Sequence, residues 1–125
     1  MTPNGKTRLV VIGGDPTAIA IAALGAQAEF ETTLVRPRGP VEGPGVPGVA
    51  YRRDGPAEAL AAIGVDAWTA VAASSHEAEI DHEALIAALP SKAFYVGALG
   101  ARRRLPERLA RLQAHQVSEA NIARL

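Results

Sequence analysis

The run Gly13-Gly14-Asp15-Pro16-Thr17-Ala18 comes close to the glycine loop that holds a dinucleotide pyrophosphate. In the G-x-G-x-x-G/A pattern the second glycine keeps the backbone bare so that the pyrophosphate can approach. Asp15 stands at that position and brings both bulk and a like charge. About 20 residues further on, where an acidic side chain would bond the ribose 2′-hydroxyl of NAD, the sequence has Arg36 and then Arg38. That argues against NAD, whereas arginine would accept the 2′-phosphate of NADP. Two readings follow: an altered NADP site, or a nucleotide fold that has lost its nucleotide. The repulsion expected from Asp15 favours the second.

A second anion cradle is offered by Gly97 and Gly100, followed by Arg102, Arg103 and Arg104. Backbone donors ahead of a helix and guanidinium groups above it suit a phosphate. Glycines after a strand also simply permit a turn, and arginines at a helix amino terminus oppose its dipole, so at least one of them needs a partner. His76 follows Ser74 and Ser75, where it could donate a proton or touch a ligand; capping a helix or bonding a loop carbonyl would serve equally. The series His76, Glu77, Glu79, Asp81, His82 has metal-ligating types, but two histidines six apart on a helix do not share a face. It reads as an acidic helix start. With no G-x-S-x-G elbow and no Walker lysine, no residue is assigned a catalytic or metal-binding role.

Parallel strands and their following helices would have to position these loops. Leu9 to Ile12 is a short apolar run ended by Gly13 and Gly14, as in a buried parallel strand. Pro16 suits an early helical position, and alanine-rich Ala18 to Ala28 continues a helix past Gly25. Thr32 to Val35 reads as the second strand and completes a parallel crossover. Proline and glycine crowd Pro37 to Gly48, which predicts an irregular loop. Val49 to Arg52, Trp68 to Ala73 and Ala93 to Val96 read as further strands, the last closed by Gly97. Helices are expected over Pro56 to Ile63, Glu77 to Leu89 and Pro106 to Ala114, with Ser118 capping a last one that runs to Leu125. Alternating strands and helices predict a Rossmann-like α/β fold, a three-layer, doubly wound parallel sheet of about five strands.

At 125 residues and 48% hydrophobic, the chain suits one domain with its own core, over residues 1–125. Cysteine is absent, which removes disulfides and thiolate chemistry and fits a reducing compartment, so a cytoplasmic location is expected. No segment approaches the roughly 20 apolar residues of a membrane helix. Formal charge is zero, yet residues 91–125 hold seven of the thirteen basic side chains and two of the thirteen acidic ones. That basic tail has little aromatic interleaving and reads as a solvated helical face, so a nucleic-acid partner is not expected.

The segments Trp68 to Ala73, Ser75 to His76, Asp81 to Leu89 and Ala93 to Leu112 together resemble the carboxyl-terminal Rossmann domain of the XdhC/CoxI family. These are accessory proteins in the maturation of molybdenum hydroxylases such as xanthine dehydrogenase and carbon monoxide dehydrogenase. The most diagnostic phrase is Ala93-Phe94-Tyr95-Val96-Gly97-Ala98-Leu99-Gly100-Ala101-Arg102-Arg103, in which the family carries serine at the place of Ala101. Against the family pattern, Asp15 replaces a glycine and Arg36 replaces an acidic residue, and the separate amino-terminal XdhC domain is expected to be absent. The resemblance implies a bacterial accessory protein, a chaperone-like module that binds or delivers molybdenum cofactor (molybdopterin) and assists rather than turns over. Expected partners are a molybdenum hydroxylase, a separate XdhC-type amino-terminal domain, or a second copy in a homodimer. The expected cofactor contacts are Gly13, Gly14, Asp15, Arg36, His76, Gly97, Gly100, Arg102 and Arg103. The alternatives are an NADP-dependent oxidoreductase, with Arg36 and Arg38 on the 2′-phosphate and His76 as acid, and a degenerate Rossmann module that acts only in protein–protein interaction.

Overall fold

The computed structural model describes residues 7–99 and 105–125. Its apolar runs form five parallel strands, β1 (Arg8–Ile12), β2 (Glu31–Val35), β3 (Val49–Arg52), β4 (Thr69–Ala73) and β5 (Tyr95–Ala98), in the order β3-β2-β1-β4-β5. Helices α1 (Pro16–Gln27), α2 (Pro56–Ile63), α3 (Ala78–Ala88), α4 (Leu105–Ala114) and α5 (Glu119–Ile122) follow in alternation and then in succession. Strand order turns back between β1 and β4, because the chain builds outward through β2 and β3 and then crosses over to β4. At such a switch point the loops leaving two adjacent strands diverge to opposite faces and open a crevice. The predicted architecture is therefore the observed one.

The two faces of the sheet are unequally covered. Val10, Ile12, Val71, Ala73 and Val96 point into the larger core, where they meet Leu60 of α2, Leu85 and Leu89 of the α3 region and Leu112 of α4. Full burial of each leucine stabilises by roughly 1.5–3 kcal/mol relative to exposure. On the opposite face Val11 and Leu34 pack under Ala18 and Ala22 of α1 in a much smaller cluster. Small side chains let α1 lie close to the sheet. Gly25 remains helical because a Cβ there would press into Leu9 and Thr32.

Element ends differ from the sequence reading where side chains intervene. Trp68 is half exposed outside β4, held by a turn in which Asp66 Oδ1 accepts the Trp68 N–H at 2.9 Å and the Thr69 hydroxyl at 2.9 Å. The fifth strand starts and ends two residues later than expected: it pairs Tyr95 through Ala98 with Ala70 through Ala73. Gly97 does not end it. The end of the half-exposed Tyr95 ring lies over Gly97, inside the strand. Helix α5 stops at Ile122; Ser118 caps it as expected, accepting the Asn121 N–H at 3.2 Å. Arg124 just beyond donates to the carbonyls of Leu89, Ser91 and Ala93, which takes up acceptors after α3.

Candidate functional site at the strand switch point

Gly13 leaves β1 with φ +150°, a conformation that disfavours side chains, and a Cβ there would overlap the Ser74 carbonyl. The backbones leaving β1 and β4 can therefore touch at the switch point. Asp15 comes next and caps α1: its Oδ1 accepts the Ala18 N–H at 2.9 Å. A cap of this kind satisfies one of the orphan donors of the first turn. The other carboxylate oxygen, Oδ2, lies 2.7 Å from His76 Nε2, so one pair bridges the loops after β1 and β4. The Asp15 side chain is only 12% exposed, whereas that of His76 is 83% exposed. Asp15 thus sits where a dinucleotide phosphate would meet the head of the helix and supplies an anion of its own.

Arg36 closes the crevice from the side of β2. Its backbone N–H stays in register with β3 by donating to the Arg52 carbonyl at 2.9 Å, and its side chain lies across Gly14. A Cβ on Gly14 would meet the Arg36 Cδ and guanidinium, the flexible end of an exposed side chain that can move aside. Among the described residues no carboxylate pairs with Arg36. A turn closed by Gly39 N–H to Arg36 C=O at 2.9 Å puts Arg38 at φ +57°, and its guanidinium reaches Glu77 at 3.9 Å.

The crevice has a volume of about 230 Å³ and is lined by Gly13, Gly14, Asp15, Arg36, Ser75 and His76 together with Pro37, Glu77 and Ile80. A second cleft of about 260 Å³ lies on the other side of Arg36, which lines both. Of the residues expected at a site, Gly13, Gly14, Asp15, Arg36 and His76 come together. Gly97 lies within β5 and lines neither cleft. Gly100, Arg102 and Arg103, the rest of the second cradle, fall outside the described residues.

Beneath the crevice is a polar cluster that the sequence reading missed. Asp81 was read only as part of an acidic helix start, yet it is 2% exposed and its Oδ1 accepts the Ser75 N–H at 3.0 Å. Ser75 in turn accepts the Glu77 N–H and donates to the Glu77 carbonyl, fixing the turn that carries His76. Arg108 of α4 comes within 3.9 Å of Asp81 Oδ2 and is itself nearly buried. Burial holds the Asp81 carboxyl above the usual carboxylate range, with Ser75 and Arg108 pulling it partly back. Neighbouring His82, also 2% exposed, is pushed below the usual histidine range by burial and by the charges of Arg111 and Arg108. His82 Nδ1 and Arg108 Nε are buried without a partner among the described residues. A spacing of six from Ser75 to Asp81 was visible in the sequence, but the three neighbouring acids concealed which of them turns inward.

No curated protein matches the chain. A solved structure described as a xanthine dehydrogenase from Bacillus halodurans is similar at 24% identity with a TM-score of 0.73, and the match covers 84% of this chain but 32% of that one. The likeness extends to the fold, and the chain spans about a third of that protein's length. The family model described as the XdhC Rossmann domain matches residues 9–125, nearly the whole chain. The chain belongs to the XdhC Rossmann-domain family.

Proposed function

We propose that this domain is a binding module in the maturation of molybdenum hydroxylases, and that the crevice at the switch point receives the anionic end of the molybdenum cofactor at Arg36. Family membership and a fold shared with a protein described as a xanthine dehydrogenase support the setting. The observation that carries the ligand assignment is the pair of bonds made by Asp15. With one oxygen on Ala18 N–H and the other on His76, the head of α1 is already served by an internal anion, while Arg36 beside it has no carboxylate partner among the described residues. A phosphomonoester fits such an arrangement better than a pyrophosphate, since it needs one cation and does not need the helix head. The pterin cofactor would bring the metal and its redox chemistry; this chain's own residues would hold and orient it. Arg36 would take the phosphate, Gly14 would allow close approach, and the Asp15–His76 pair would keep the two loops in place.

Equilibrium titration of the purified protein with a pterin monophosphate, NADPH and NADH tests this reading. Saturable micromolar binding of the pterin phosphate is expected, with loss of at least tenfold in Arg36→Glu and no binding of either dinucleotide. Preferential binding of NADPH would overturn it in favour of the oxidoreductase reading. Binding of none of the three would leave the interaction-only module.

A further inference from the structure

The second cleft, of about 260 Å³, is walled by Ile19 of α1, Leu34 of β2, Tyr51 of β3 and Pro44 of the proline-rich segment between β2 and β3. That segment is fastened over the strand ends. Tyr51 Oη donates to the Pro40 carbonyl at 2.8 Å, Arg53 Nε donates to the Gly39 carbonyl at 2.8 Å, and Arg38 N–H donates to the Arg53 carbonyl at 3.0 Å. Gly43 lies so near the Tyr51 ring that a Cβ would stand 3.0 Å from it. The result is a slot with aliphatic and aromatic walls, the Arg36 guanidinium on one side and the Glu42 carboxylate also on its lining. Each cleft alone is smaller than the roughly 300–1,000 Å³ of ordinary ligand pockets, and the two adjoin at Gly14 and Arg36, which line both.

Resting on the phosphate assignment at Arg36, we infer that the slot takes the flat heterocycle of the same ligand, and that Glu42 selects rings with a 2-amino-4-oxopyrimidine edge. Pterins and guanines share that edge. It presents two adjacent N–H donors, which one carboxylate can accept together as it accepts the fork of a guanidinium. An adenine lacks the pair of donors. Arg36, between slot and crevice, can stack on the ring and contact the phosphate.

The test is fluorescence or calorimetric titration of wild type, Ile19→Trp, Pro44→Trp and Glu42→Gln with a pterin monophosphate, GMP, AMP and inorganic phosphate. Pro44 is exposed on the strap, so its variant keeps the test valid if the half-buried Ile19→Trp fails to fold. The expected result is that either tryptophan weakens the pterin phosphate and GMP at least tenfold while leaving inorganic phosphate unchanged. Glu42→Gln should weaken the same two ligands about tenfold and leave AMP unaffected. If the pterin phosphate still binds through Arg36 but neither tryptophan changes its affinity, the slot assignment is overturned and the phosphate reading stands. If GMP binds and responds to these variants while the pterin phosphate does not bind, the slot stands and the molybdenum reading falls. Wild-type preference for AMP over both would overturn the role of Glu42.

Discussion

The loops after β1 and β4 solve one problem with the same group and reach opposite results. Each leaves a parallel strand at the switch point, and in each a carboxylate accepts a backbone N–H: Asp15 takes that of Ala18, and Asp81 takes that of Ser75. They differ in what faces the second oxygen. For Asp81 it is Arg108, buried between α3 and α4; for Asp15 it is His76, which is almost wholly in water. A carboxylate that is itself buried, as Asp81 is at 2% exposure, holds the structure and is out of a ligand's reach. One whose partner is exposed can exchange that partner for a ligand. The first loop is therefore the responsive half of the crevice and the second is its support.

Removing the support should give the largest effect. Asp81→Ala leaves the Ser75 N–H and the Arg108 guanidinium buried without their acceptor, and stability should fall by about 3 kcal/mol in a denaturant titration. Asp81→Asn retains an acceptor oxygen and should lose less than half of that. Equal losses from the two variants would mean that the backbone bond to Ser75 is not what Asp81 contributes. The same buried layer should impose a pH dependence. His82 titrates below the usual histidine range in the folded chain, so below that range the unfolded chain binds a proton that the folded one resists. The stability due to neutral His82 is present above the ordinary histidine pKa and is lost as pH falls through the lowered one. Thermal melts between about pH 8 and pH 5 should show that loss in the wild type and a shallower one in His82→Asn. Parallel pH profiles would exclude His82 as its source.

This division explains what could be read from the chain. The parallel strands and the crossover followed from apolar runs such as Leu9 to Ile12 and Thr32 to Val35, since a parallel strand buried on both faces has no alternation to obscure it. The boundary of β5 was misread because Gly97 looks like a terminator, whereas it pairs with Ala72 inside the ladder. At the crevice, Gly13, Gly14, Asp15, Arg36 and His76 were identifiable because they sit at strand ends, where local punctuation marks them. Asp81 was not. Its burial depends on Arg108, twenty-seven positions later on another helix, and no local pattern distinguishes it from Glu79, which pairs with Arg111 at the surface. Likewise the Asp15–His76 contact joins residues sixty-one apart, so Asp15 could be seen as an obstacle to pyrophosphate but not as the partner of a histidine.

The responsive loop should tolerate change better and reveal more when changed. Asp15→Ala removes the cap on α1 and should cost about 1 kcal/mol, whereas Asp15→Gly, which restores the glycine of the dinucleotide pattern, should cost only a few tenths. His76→Ala should cost less still, about 0.5 kcal/mol or below, because the histidine is exposed and water competes for the contact. Its effect should appear in ligand affinity. Once His76 is gone, Asp15 Oδ2 loses its partner and the charge of the carboxylate faces, without that contact, the crevice that also holds Arg36. A phosphate at Arg36 would then meet that charge, so the pterin phosphate should bind His76→Ala more weakly than wild type, and the double variant His76→Ala, Asp15→Gly should recover much of the loss. Recovery would show that His76 acts by occupying Asp15 Oδ2. Persistent weakness in the double variant would instead mean that His76 touches the ligand itself, and would move it from the frame of the crevice into the binding contacts.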